Sequence, residues 1–444
     1  MKIESVHLKN YACFEDITVY FKSKFSVIVG INGSGKTSLL NAIRGFLSYN
    51  FDNANRRHLL GSRYELNELN NVKVVVQFHN SLYRYEKQFP AEVAVNIVLP
   101  DSDVPAETSL VCDDPSLRYS FKKPINPISN PLYDYIHDLD KHVTLPLFMY
   151  FSAERNLQSS NGKKISVVDV AQEKTSRLDA YDNCISASPT AGELKRWVIS
   201  KTLERLQAIA ENPNLPKDEE AIGDELSLVN GAISLAMPDV VGLKFDMKQN
   251  EFLLVRNQNV AESGQCSAFD NLSEGERVIL LLVADIARRI CILNPNLGKE
   301  ALKQTQGIVL IDEIDSHLHP QWQRHIPIAL KTAFPNIQFI ATTHSPQVLS
   351  ELQPEEIILL TGSEARNPEV SYGLDANAIL EVIMRAEPRP QKVIDAIRDL
   401  FETIARGELE KSKGHLRNLR TLAPGIPEID SADALIFRKE TIGK

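Results

Sequence analysis

The apolar positions of the first fifty residues change period twice. In "KIESVHLKNY" and "ITVYF" they are interspersed with polar ones, as short half-buried strands require, whereas "FSVIVG" predicts a fully buried strand. "KTSLLNAIRGFL" then spaces its apolar residues as a helix does. After a polar stretch over 51–71 containing Arg56, Arg57, His58 and Arg63, "VKVVVQFHN" and "LYRYEKQF" predict a hairpin turning at Asn80 and Ser81. Periodicity fades from 90 to 145, where Pro and Asp accumulate, so a loop-rich excursion is expected there. "LPLFMYFSAER" restores a buried strand, and 156–190 is small and polar. Helical spacing returns in "ELKRWVISKTLERLQAIAE" and around 218–236, and "VGLKFDM" and "FLLVR" predict two more strands.

From 278 to 350 the pattern runs helix, strand, helix, strand through "VILLLVADIARRI", "GIVLIDEI", "PQWQRHIPIALKTAF" and "IQFIATTHS". That alternation predicts parallel β-α-β packing and an α/β fold class. The last stretch is helical: Val393, Ile397, Leu400 and Ile404 recur at three- and four-residue steps until Gly407 stops the run. The expected organisation is an N-terminal lobe over 1–89 and an inserted mixed α/β segment over 90–268. A C-terminal lobe over 269–364 and a helical tail over 365–444 follow.

Composition narrows this only slightly. With 444 residues, 43% of them hydrophobic and 24% charged, the chain can bury a sizeable core. A formal net charge of −9 argues against a sequence-independent DNA binder working through bulk electrostatics, while leaving local basic patches open. The five cysteines, at 13, 112, 184, 266 and 291, form no CxxC pair, so neither a zinc hook nor a disulfide framework is written here. No apolar run approaches the ~18–20 residues of a membrane span. The opening residues do not form a signal peptide, and a cytoplasmic protein without membrane contact is expected.

Four local patterns carry chemistry. "GINGSGKT", Gly30–Thr37, follows a buried strand and opens a helix, the context of a phosphate-binding loop. Gly30, Gly33 and Gly35 let the backbone curl its N–H groups toward phosphate, with Asn32, Ser34 and Ser38 in the same cradle. Lys36 reaches the β- and γ-phosphates as a point charge, and Thr37 offers its hydroxyl to Mg²⁺. "GIVLIDEID" is a buried strand ending in two carboxylates. Asp312 is placed to hold the Mg²⁺ shell and Glu313 to orient or deprotonate an attacking water. "ATTHS" ends the next strand on His344, which can link a γ-phosphate to that water.

The fourth pattern is "NLSEGERVIL". Ser273 and Glu276 have the spacing of a capping box, so a well-capped helix start is one reading. Gly275 is a poor helix former in that first turn, and a helix N-terminus with Ser and Gly exposed is a phosphate site. The order phosphate loop, Ser-rich cap, Asp-Glu, His resembles that of ATP-binding-cassette (ABC) ATPases. The resemblance implies that Ser273, Gly275 and Glu276 complete the ATP site of a second protomer.

With these motifs, the chain resembles an ABC-type P-loop ATPase head of the structural-maintenance-of-chromosomes (SMC), Rad50 and RecF type, over about 1–50 and 270–360. "LKNYACFEDITVYF" is similar to the opening of that group, with Ala12 where Arg is common; "IDSHLHP" places His319 where a transporter-type D-loop has Asp. "GIVLIDEIDSHLHPQWQRHI" and the tail "YGLDANAILEVIMRAEPRPQKV" resemble the ATPase subunits of Septu anti-phage systems, including those beside retrons. This implies ATP and Mg²⁺ as ligands, a homodimer or higher homo-oligomer closed through ATP-sandwiched sites, and regulation of a separate HNH-type nuclease. Nucleic acid would be reached through that partner, and no nuclease constellation is recognised in the chain itself.

Two other functions compete with this one: a RecF- or Rad50-like repair ATPase clamping DNA directly, and a transporter motor. The acidic balance disfavours the first, and the long stretch between phosphate loop and cap disfavours the second. Smaller candidates stay open. Arg155 can touch phosphate, a partner or only solvent. Gln77 can serve a metal or face water. "KSKGHLRNLR" can meet DNA or be a solvated helix face. His317 and His319 can suggest a metal pair but lack further ligands. The amphipathic tail is expected to need a partner over its apolar stripe.

Overall fold

A computed structural model describes residues 1–54, 72–79, 82–98, 105–113, 120–123, 144–153, 176–185, 191–212, 223–249, 251–257, 266–362, 364–387 and 389–442. Arg56, Arg57, His58, Arg63, Asn80, Ser81, Arg155 and the side chain of Gln77 lie outside the described residues. The described chain divides into two compact units, 1–374 and 375–444.

The first unit is organised by a six-stranded sheet in the order β16-β15-β3-β14-β13-β9. Its central members are β3 (Phe25–Val29), β14 (Ile337–Thr342) and β13 (Gly307–Ile311), flanked by β9 (Leu147–Phe151) on one side and β15 (Ile357–Thr361) on the other. All five run parallel, and β16 (Glu364–Arg366) closes the far edge antiparallel. Every residue of β3, β9, β13 and β14 is buried. Strands covered on both faces need continuous apolar runs, which is why these four were readable as such.

A second, antiparallel sheet has the order β2-β1-β6-β7-β8. Here β1 (Lys2–Tyr11) pairs with β2 (Phe14–Tyr20) and with β6 (Ala91–Val98), and β7 (Ala106–Cys112) and β8 (Ser120–Lys123) follow. The expectation of a loop-rich excursion from 90 is therefore overturned for these residues. "AEVAVNIV" buries Ala91, Val93, Ala94, Val95 and Ile97, and its flanking Pro and Asp residues hid the pattern. Buried Gln338 joins the two sheets: it accepts from Ile3 N at 2.7 Å and donates to Ile3 O at 2.8 Å. The hairpin of β4 (Val74–His79) and β5 (Leu82–Lys87) pairs as expected. A three-stranded sheet joins β10 (Val240–Asp246), β11 (Glu251–Arg256) and β12 (Cys266–Ala268).

The longer helices of this unit are α1 (Lys36–Ala54), α2 (Ala191–Glu211), α3 (Glu225–Ala236), α4 (Glu274–Leu293) and α5 (Pro320–Ala333). Helix α4 is buried almost all round, and it carries ionic groups inward with their partners. Asp285 accepts from Arg288 Nη2 at 2.6 Å and from Arg289 Nε at 3.0 Å. Arg289 also donates to the carbonyls of Ala180 and Asp182, locking the 177–185 turn onto α4. Burial would raise the Asp285 pKa, but the two guanidinium groups outweigh it and hold the carboxyl below its ordinary value.

The second unit contains three longer helices, α6 (Gln391–Arg406), α7 (Leu409–Leu422) and α8 (Pro427–Ile442). Gly407 terminates α6 in the left-handed region, as its place in the sequence predicts. The apolar stripe Val393, Leu400, Ile404 packs against Leu416 and Leu419 of α7 and Ile429, Ala432 and Ile436 of α8. The stripe is thus covered within the tail itself, and its existence no longer calls for an outside partner. The basic stretch at 411–420 is largely neutralised: Lys411 pairs with Glu408, Lys413 with Glu410 and Glu440, and Arg420 with Asp433. That favours the solvated-face reading over a DNA contact.

Candidate active site

Parallel strands deliver their C-terminal ends to one edge of a sheet, where α/β folds bind ligands. Because β3, β14 and β13 are neighbours, the loop at 30–35, the 342–344 segment and the 312–315 turn emerge side by side. Three motifs far apart in sequence are joined there.

The loop after β3 has the shape its glycines allow. Gly35 takes φ +96°, and a Cβ on it would meet Phe14 Cζ at 2.3 Å and Cys13 Sγ at 2.6 Å. Only glycine satisfies both that backbone and that approach. The 13–14 segment, beside the Ala12 that set this stretch apart from the family's opening, therefore shapes the cradle. Asn32 and Gly33 are exposed at the loop tip, Ser38 is half-buried in the first turn of α1, and Ser34 is buried. Lys36 Nζ donates to Gly30 O at 2.9 Å and Ile31 O at 3.1 Å, so its ammonium lies over the loop. Burial lowers the Lys36 pKa, while Asp312 and Glu313 oppose the shift.

Thr37 Oγ1 donates to Asp312 Oδ2 at 3.1 Å, which brings the two expected Mg²⁺ ligands together. A hydroxyl and a carboxylate are hard oxygen donors of the kind Mg²⁺ takes. The buried Ser34 hydroxyl finds no partner among the described residues and lies in the wall of the same loop. The residues present thus fit a phosphate–Mg²⁺ group.

The acidic turn is held by two threonines of "ATTHS" to which no local motif assigns a role. Thr342 Oγ1 donates to Asp312 Oδ1 at 2.6 Å and accepts from Glu313 N at 2.8 Å. Glu313 has φ +48°, an uncommon conformation for a side-chain-bearing residue and one found disproportionately at functional sites. Thr343 Oγ1 donates to Asp315 Oδ1 at 2.5 Å, and the same oxygen accepts from His344 N at 3.3 Å. Asp315 therefore fixes the backbone that carries half-buried His344. Ser345 Oγ donates to Gln323 Oε1 at 2.7 Å, tying this segment to α5.

At the start of α4 both halves of the capping box are formed. Ser273 Oγ accepts from Glu276 N at 3.3 Å and donates to Glu276 Oε2 at 2.8 Å, and Ser273 N donates to the same oxygen at 2.9 Å. Arg256, from the end of β11, donates to Glu276 and to Asp239. Burial alone would raise the Glu276 pKa; Arg256 and the Ser273 amide outweigh it and hold the carboxyl below its usual range. Gly275 is buried, and a Cβ there would meet His317 O at 2.6 Å. Its missing side chain lets the 315–319 segment approach, a different reason from the bare backbone inferred from sequence.

Ser273 and Gly275 line a cavity of about 1120 Å³ together with His317, His319, Trp322, Arg324 and His325. No residue of the 30–37 loop lines it. His319 Nδ1 accepts from Gln321 N as the N-cap of α5, and His317 Nδ1 lies 3.4 Å from Glu274 Oε1. His319 thus caps α5, and His317 lies beside Glu274. Among the described residues, no helix is long and apolar enough to cross a membrane.

The sequence profile described as "AAA ATPase domain" matches residues 1–222, half of the chain, and a second "AAA domain" profile matches 212–350. Among curated proteins, "Retron Ec83 probable ATPase" of Escherichia coli is 28% identical, covering 88% of this chain and 77% of its own length. "Septu protein PtuA" of Bacillus mycoides is 35% identical over 35% of this chain and 22% of its own. Among solved structures, an SMC head bound to the C-terminal winged-helix domain of ScpA matches with a TM-score of 0.45 and 15% identity, over 84% of this chain and 98% of that one. The loop, the acidic pair and His344 meet at one sheet edge, and the matched profile covers the half that holds the phosphate loop. The chain belongs to the AAA ATPase domain family and is an ATP hydrolase.

Proposed function

We propose that this ATPase works as a dimer in which each cap at Ser273 meets the nucleotide of the other protomer, and that hydrolysis regulates a separate HNH-type nuclease in anti-phage defence. The observation that carries the dimer is the cavity at Ser273 and Gly275, which no phosphate-loop residue lines. A phosphate-binding helix start without its own phosphate loop needs a second copy to supply one. Likeness to the retron and Septu proteins supports the defence role.

In this reading the amides of Asn32–Ser38 and the Lys36 ammonium bind the ATP phosphates. Mg²⁺, held by Thr37 and Asp312, would neutralise charge on the β- and γ-phosphates. Glu313 accepts a proton from the water whose oxygen bonds to the γ-phosphorus, as the bond to the β–γ bridging oxygen breaks. His344, its backbone held by Asp315, orients that water against the γ-phosphate. Ser273, Gly275 and Glu276 of the opposite protomer close the site from outside, so turnover reopens the dimer.

The 365–444 tail is the element we propose for nuclease docking. With its stripe covered, the support is now its surface, where Phe437 is 69% exposed and Leu422 44%. The test is reconstitution with a candidate HNH nuclease, measuring DNA cleavage with ATP, with a non-hydrolysable analogue and without nucleotide. Cleavage that depends on nucleotide state supports the regulation, and cleavage indifferent to all three conditions overturns it.

A further inference from the structure

We infer that Thr342 is a positioning residue for hydrolysis, setting the distance between the metal-holding carboxylate and the base. A threonine hydroxyl has one proton to give and lone pairs to accept with. At Thr342 the proton goes to Asp312 Oδ1 at 2.6 Å, and a lone pair takes Glu313 N at 2.8 Å. One oxygen atom is therefore the common anchor of two adjacent residues with different tasks. Thr342 is fully buried, so water does not compete for either bond.

The arrangement has two consequences. Asp312 Oδ1 accepts from Thr342 Oγ1 at 2.6 Å, and Thr37 Oγ1 lies 3.1 Å from Oδ2 and 3.3 Å from Oδ1, so two hydroxyls fix the carboxylate toward the phosphate loop. The second consequence concerns the backbone of Glu313, held at φ +48°. An amide bonded to a buried hydroxyl resists relaxing out of that region, and Ile314 N adds a bond to Thr342 O at 2.9 Å. Without the hydroxyl, the turn keeps its strand-to-strand register through backbone bonds, while the two carboxyl groups lose their fixed separation. Ground-state ATP binding rests on Lys36 and the loop amides, which Thr342 does not touch. The loss therefore falls on turnover.

This inference rests on the proposed roles of Asp312 and Glu313, which Glu313→Gln tests separately. Thr342→Val, which keeps the shape and removes the hydroxyl, is compared with Thr342→Ser, which keeps the hydroxyl and loses a methyl group. Removing a side chain that orients a metal-holding group typically changes activity or metal affinity by ~10–100-fold. Expected for Thr342→Val is a kcat lowered in that range, a KM for ATP within about threefold of wild type, and weaker Mn²⁺ retention in the ATP complex by electron paramagnetic resonance. Thr342→Ser should recover most of the rate and the Mn²⁺ signal. If Thr342→Val does not fold, Thr342→Ala against Thr342→Ser carries the same comparison. Equal losses in the hydroxyl-free and hydroxyl-bearing variants, or a raised KM with unchanged kcat, would overturn the inference. If Glu313→Gln turns over like wild type, it is the underlying site assignment that fails.

Discussion

The two regions proposed to face phosphate, around Lys36 and around Ser273, are built differently. Around Lys36, Asp312 and Glu313, side chains from three neighbouring strand ends bond to one another, and Thr37, Thr342 and Asp312 form a continuous chain of hydrogen bonds. Around Ser273 the hydroxyl and the Glu276 carboxylate cap their own helix, Arg256 of β11 bonds the same carboxylate, and beyond them lies a cavity walled by His317, His319, Trp322 and Arg324. The first region holds the groups proposed to bind the ATP phosphates. The second has a helix N-terminus and donors, but no residue of the 30–37 loop in its wall. The proposed composite site between protomers would account for both.

The sharpest way to separate the regions is to remove chemistry from the first without removing binding. Glu313→Gln should lower kcat by ~10²–10⁴-fold while ATP affinity measured by calorimetry stays near wild type. Comparable turnover would mean that a different group activates the water. Lys36→Ala should weaken ATP binding by roughly 10–100-fold, the cost of losing charge-assisted hydrogen bonds to phosphate. Undiminished affinity would remove the 30–37 loop from the site.

The second region should fail differently. Ser273→Arg fills the mouth of the cavity, so it should leave the ATP affinity of each protomer within about threefold and abolish ATP-dependent association, read by light scattering. A normal ATP-induced dimer would show that the cap does not face a partner. The smallest effect is a stability one. Glu276→Ala removes one half of the capping box and should cost about 1 kcal/mol at neutral pH. Because the folded Glu276 carboxyl titrates below its ordinary value, the stabilisation is complete above the unfolded carboxylate pKa and is lost as pH falls through the folded one. The melting-temperature gap between wild type and variant should therefore shrink as acid is added; a constant gap would mean that the carboxylate charge plays no part in the cap.

Much of this site was legible because its motifs are local. A glycine-rich turn between strand and helix, an acidic pair ending an apolar run, and Ser273 three residues before Glu276 are all written within ten residues. What stayed hidden were partnerships across the sheet. Thr342 acts on Asp312 and Glu313, Thr343 on Asp315, and Arg256 on Glu276, each pair lying many residues apart. Nothing in "ATTHS" distinguishes a threonine facing the acidic turn from one facing the core until β13 and β14 are set side by side. The strands over 91–112 were missed because turn-forming residues around them outweighed an alternation that the antiparallel partner β1 then completes. The tail stripe was read correctly as apolar, but its cover was sought outside the chain when it lay in α7 and α8.

The most direct test of the composite site is the mass of Glu313→Gln in solution with and without ATP and Mg²⁺. An ATP-dependent doubling is the expected result, since slow turnover should hold two protomers closed across each other's nucleotide. A mass that is the same in both conditions would contradict the account, and would place the action of ATP within an assembly that stands without it.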